Sequence, residues 1–141
     1  MLQMPHKKNL YLVFFVILLS LAQHFFAFSI LGIKPNLILV FILTISFFLE
    51  NFLFYLGLIL ISYFLLRLEI LIDCPALALS FLLIIAYWLR GVLPWQPFFS
   101  FSALVAVVTI VFYLLISPQF IFNGVSLLVG EILYNLVLGH I

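Results

Sequence analysis

The stretch Ala103-Leu104-Val105-Ala106-Val107-Val108-Thr109-Ile110-Val111-Phe112-Tyr113-Leu114-Leu115-Ile116 decides the fold class. Its residues are apolar on every side, with none of the polar/apolar alternation that a membrane β-barrel strand shows over about ten residues. A helix satisfies its backbone hydrogen bonds internally, so lipid can cover whichever faces no protein covers. Leu10–Leu19 reads the same way. The chain as a whole agrees: of 141 residues, 69% are hydrophobic and 6% charged, and the mean hydropathy is +1.50. A soluble domain carries about 25% charged residues; the charge here cannot coat a water-facing globule. The expectation is an all-α, polytopic membrane protein, a single integral membrane domain over residues 1–141 with the lipid bilayer as its solvent.

Composition also excludes several classes. A net charge of +1 with no basic stripe gives nucleic acid nothing to bind. The single cysteine, Cys74, makes no internal disulfide and has no metal-ligand spacing around it. No His-Glu-x-x-His, Gly-x-Ser-x-Gly or phosphate-cradling glycine loop is present. No catalytic, metal-binding or cofactor-binding residue is therefore expected, and the protein reads as a non-enzyme. The aromatic residues, 18% and mostly Phe, read as lipid-facing bulk. The N-terminus has the charge-then-apolar order of a signal peptide, but Ala22-Gln23-His24-Phe25 is too bulky for a cleavage site. It is read as a retained first helix.

Working outward, breaks fall at proline and polar residues. Asn9 to Leu31 is a first span, ended by Gly32-Ile33-Lys34-Pro35-Asn36. Pro35 suits the first turn of a second span, Asn36 to Leu49. A third runs from Phe52 to about Arg67 or Ile72, and Pro75 opens a fourth, Ala76 to Leu89. Arg90 to Pro97 reads as a loop, Phe98 to Ile116 as the fifth span, and Asn123 to His140 as the sixth. Crossing about 30 Å of hydrocarbon takes roughly 20 helical residues. The second span has only about 14 between its polar ends, so spans two and three read as a tight hairpin with its tip at Glu50-Asn51. Six transmembrane helices is the count; five, or four plus a re-entrant pair, also fits. Lys7 and Lys8 place the N-terminus in the cytoplasm, and six crossings return the C-terminus there.

The few polar residues inside apolar spans carry most of the information. Glu131 lies mid-way along the sixth span, with Asn135 four residues later and Gly124 seven before, all on one helix face. Two readings apply: a buried contact or binding site, or a hydrogen-bonding carboxyl that only fastens the bundle. On the fifth span Ser102, Ala106, Thr109 and Tyr113 repeat at helical spacing, a seam where small residues allow close approach and hydroxyls bond across. Ser20, Gln23 and Ala27 make a shorter face on the first span, with His24 beside them as an interfacial histidine. Arg67, Glu69 and Asp73 read as a solvated turn, and Tyr11, Tyr87, Trp88 and Trp95 as interfacial aromatics.

Two stretches carry a family resemblance. Gly32-Ile33-Lys34-Pro35-Asn36-Leu37-Ile38-Leu39-Val40 resembles the G-x-x-P-(N/D)-L-x-L opening of the second helix in the MreD family of rod-shape-determining membrane proteins. Leu133-Tyr134-Asn135-Leu136-Val137-Leu138 resembles that family's closing helix. One departure stands out: Gly57-Leu58-Ile59-Leu60-Ile61 has the start of the family's G-L-x-x-D third-helix motif without the acid. The resemblance implies a divergent member, a non-enzymatic scaffold in the bacterial inner membrane that serves the cell-elongation, peptidoglycan-synthesis machinery. It implies a bitopic MreC-like partner, other elongation-complex proteins, and a bundle similar to the S-components of energy-coupling-factor vitamin transporters. It makes Pro35 and Asn36 a structural helix start and Glu131 with Asn135 a helix–helix contact. The alternative is a transporter subunit that binds a vitamin-type solute around Glu131, with Gln23, His24, Gln119 and Asn123 near the outer side.

Overall fold

The computed structural model describes residues 6–25, 36–66, 74–93 and 96–140. Among these, all regular structure is helical, with no strand. The helices are α1 (His6–Phe25), α2 (Leu37–Ser46), α3 (Phe52–Leu66), α4 (Cys74–Leu89), α5 (Pro97–Ile116), α6 (Pro118–Asn123) and α7 (Val125–His140). Pro35, Lys34 and the Arg67-Glu69-Asp73 cluster lie outside the described residues, as do Trp95 and the side chain of His24.

The shortest of the long helices is the centre of the fold. α2 packs against α1, α3, α4, α5 and α7, and seven of its ten residues are buried. A helix hydrophobic all round is buried all round, and Ile38, Leu39, Ile42 and Leu43 are almost wholly enclosed. Around them pack Val16 of α1, Tyr55, Leu58 and Ile59 of α3, Leu83 and Ala86 of α4, and Val105 of α5.

The expected hairpin is present: α2 and α3 are joined by a turn from Phe47 to Asn51. Asparagine starts both arms. Asn36 accepts a hydrogen bond from Leu39 N at 3.0 Å, and Asn51 from Phe54 N at 3.2 Å, the N-cap geometry that satisfies an otherwise orphaned amide. Of the expected helix start, Pro35 lies outside the described residues, and Asn36 is the N-cap of α2. The C-terminal end of α4 clamps the turn. Tyr87 donates to Glu50 O at 2.8 Å, Arg90 Nη2 donates to Leu49 O at 2.7 Å, and the guanidinium lies 4.0 Å from the centre of the Tyr87 ring. Tyr87 stacks on Tyr55 at 4.7 Å, and the Tyr55 hydroxyl donates to Leu83 O. Arg90 lies just past α4, in the stretch expected as a loop, and Tyr87, expected as an interfacial aromatic, is buried; together they hold the carbonyls of Leu49 and Glu50 in the turn that follows α2.

One further element was not expected. Pro118 cannot donate an amide hydrogen to α5, so that helix stops at Ile116. The chain turns at Ser117 and forms the short α6 with Pro118 in its first turn. Stacking of Phe120 on Tyr113, with ring centres 4.7 Å apart, folds the corner back. Gly124 then connects α6 to α7, and a Cβ there would come 3.0 Å from Phe120 O.

The two ends of the bundle differ. Lys8 of α1 lies beside Phe48 and Leu49 of the α2–α3 turn, and that turn is held by the end of α4. Gln23 of α1 meets Asn36 at the other end of α2. Large apolar side chains face outward on the surrounding helices, among them Phe14 of α1, Phe64 of α3, Phe81 of α4, Leu115 of α5 and Val137 of α7. One described helix, α5, is long and apolar enough to cross a membrane, by length and hydropathy.

Candidate functional site

The site is built around the start of α2. The first amides of a helix have no intrahelical acceptor, and here that end lies inside protein, where an unpaired amide costs about 1–3 kcal/mol. Three side-chain amides from three parts of the chain meet the need. Asn36 Oδ1 accepts from Leu39 N at 3.0 Å. Gln23 Oε1, from α1, accepts from Ile38 N at 3.0 Å, and its Nε2 donates to Asn36 Oδ1 at 3.4 Å. Asn135 Oδ1, from α7, accepts from Asn36 N at 3.2 Å.

One turn before Asn135, the carboxyl of Glu131 accepts a hydrogen bond from the Tyr113 hydroxyl of α5 at 2.5 Å. Glu131 is buried and Asn135 is fully enclosed. The Phe120 ring of α6 stacks on one face of Tyr113. The result is a polar seam that fastens α1 and α7 to α2, and α5 to α7. Buried next to it are three side-chain atoms without a hydrogen-bond partner: Ser20 Oγ, Thr109 Oγ1 and Asn135 Nδ2. Ser20 is one turn from Gln23, and Thr109 one turn from Tyr113.

The expected residues sort clearly. Glu131 and Asn135 share a face as expected, and each reaches a different helix. Gly124 lies outside α7, at the α6–α7 corner, where a Cβ would crowd Phe120. In the fifth-span seam, Thr109 is buried and Tyr113 bonds across to α7, whereas Ser102 Oγ donates to Phe98 O of its own helix at 2.9 Å. Ala106 is half-buried between them. Gln119 and Asn123 are exposed on α6 and take no part in the seam. Gln23 was expected on a face with Ser20 and near His24, Gln119 and Asn123 at the outer side; its bond to Ile38 at the start of α2 is not legible in the sequence, since nothing local links residues 23 and 38.

Chemically, the seam offers hydrogen bonds and one carboxyl. Among the described residues no three His, Cys, Asp or Glu come together to hold a metal ion. The class defined by fold and site is an all-helical bundle locked by an internal amide–carboxyl network. Comparison with family models, curated proteins and solved structures returns no match.

Proposed function

We propose that the chain is a multi-pass protein of the bacterial inner membrane and a non-enzymatic scaffold of the cell-elongation machinery, akin to the MreD family. The observation that carries the reading is the hydrogen bond from Asn36 N to Asn135 Oδ1. It joins the two stretches on which the family resemblance rests, one at the start of α2 and one in α7.

The membrane part is supported by the outward-facing apolar side chains on the surrounding helices. Soluble monomers rarely expose contiguous apolar patches beyond a few hundred Å². Length is consistent too. α2 runs about 15 Å from Asn36 toward the hairpin tip, and α7 runs about 15 Å from Asn135 the other way, back to Val125. Together they match a hydrocarbon core of about 30 Å. Six crossings then come from α1, α2, α3, α4, α5 and α7, with α2 crossing only part-way inside protein. Lys8 and Arg90 share the end that bears the hairpin tip, which suits a cytoplasmic face. Gly139, near the end of α7, packs against Phe101 and Val40 on the way to that same end, consistent with a cytoplasmic C-terminus.

A scaffold rather than a solute carrier is favoured because Glu131 and Asn135 use their acceptors on neighbouring helices. The vitamin-transporter reading draws on Ser20 Oγ, Thr109 Oγ1 and Asn135 Nδ2, the buried polar atoms that a bound solute would satisfy. Depletion in a rod-shaped host, with affinity capture of the tagged chain, separates the two. Rounded cells and capture of a bitopic coiled-coil protein support the scaffold; unchanged shape and capture of an ATPase pair would refute it.

A further inference from the structure

An apolar cleft of about 440 Å³ opens between α1 and α2, away from the polar seam. Leu12 and Phe15 form one wall, and Phe41 and Ile45 the other, with the Phe15 and Phe41 rings in contact, centres 4.7 Å apart. Its polar features are confined to one end, where Lys8 and Tyr11 stand on the first turns of α1. Both are exposed, and Lys8 has no acidic partner among the described residues. The hairpin tip and Arg90 lie at the same level, so this end sits where an ammonium and a phenol meet lipid headgroups.

We infer that this cleft binds one anionic phospholipid, an acyl chain lying along Leu12 and Ile45 against the joined Phe15 and Phe41 rings, and the phosphate at Lys8. The inference rests on the membrane reading. The occupant follows from charge and size: a cleft lined by hydrocarbon with a single cation at its mouth complements an amphiphile with one negative head. Its volume is that of a small-molecule site. A partner helix is about 10–12 Å wide and would ride on the rim formed by exposed Tyr11 and Phe48 instead of entering. Membrane surfaces rich in anionic lipid attract such juxtamembrane cations.

The test uses full-length protein reconstituted in vesicles of phosphatidylglycerol and phosphatidylcholine in equal parts, then extracted in mild detergent and weighed by native mass spectrometry. Wild type is expected to retain one phosphatidylglycerol in at least fivefold preference over phosphatidylcholine. Lys8→Glu should abolish the preference, and Leu12→Trp, which fills the cleft and keeps the charge, should lose the bound lipid. Helical circular dichroism of each variant checks the fold, and Tyr11→Phe, milder than either, should lower retention without loss of helix. Equal retention in wild type and Lys8→Glu would overturn the inference, as would unchanged retention in Leu12→Trp, which would mark mere surface attraction. A photo-crosslinker at Phe48 that captured a polypeptide and no lipid would also overturn it. Carbonate extraction of the same vesicles separates the two proposals: a chain that washes off refutes the membrane reading, and one that stays without lipid preference refutes only the cleft.

Discussion

Replacing Asn135 with alanine removes the acceptor for Asn36 N and should loosen the start of the central helix. In protein that excludes water, the orphaned amide costs about 1–3 kcal/mol. Asparagine also leaves a void of roughly 25 Å³, worth about 0.6 kcal/mol at about 24 cal/mol per Å³. Against this, wild type buries Asn135 Nδ2 without a partner, and its removal returns about 1 kcal/mol. The balance is a loss of about 0.6–2.6 kcal/mol, or a fall in melting temperature of about 2–9 °C for a chain of this length. Gln23→Ala strips the amide of Ile38 at the same helix end, so the double variant should lose less than the sum of the singles. The assay is thermal unfolding of purified protein in detergent, followed by circular dichroism. A wild-type melting temperature for Asn135→Ala would refute the reasoning.

Glu131→Gln keeps an acceptor for the Tyr113 hydroxyl and should fold and melt like wild type, whereas Tyr113→Phe should cost about 1–3 kcal/mol in the same melt; equal losses would show that Glu131 acts through its charge. Tyr87→Phe frees the hairpin carbonyl at Glu50 and should lower stability by about 1 kcal/mol, read as faster amide exchange at Phe48 and Leu49. A Cβ at Gly139 would meet the Phe101 ring and lie 3.3 Å from Val40 Cγ1, so Gly139→Ala should destabilise by about 1–3 kcal/mol through overpacking. A melt unchanged by Gly139→Ala would mean that Phe101 swings aside freely.

What the sequence determined by itself is everything local. Ala103–Ile116 must be helical because every side is apolar, and α5 covers it without a break. The hairpin tip at Glu50-Asn51 is legible because polar residues interrupt two apolar runs, and the stop after Ile116 because proline has no amide hydrogen. Even the shared face of Glu131 and Asn135 follows from helical period alone. Tertiary structure decided which of the polar residues meet. Gln23 and Asn36 are 13 residues apart, and Asn36 and Asn135 are 99 apart, distances over which periodicity carries no information. The shortness of α2 looked like a mismatch with the bilayer; packing turned it into the central helix, its start satisfied by side-chain amides and the turn beyond its end held by Tyr87 and Arg90. A helix end away from water needs partners wherever the fold can supply them, and only the assembled bundle determines which side chains those are.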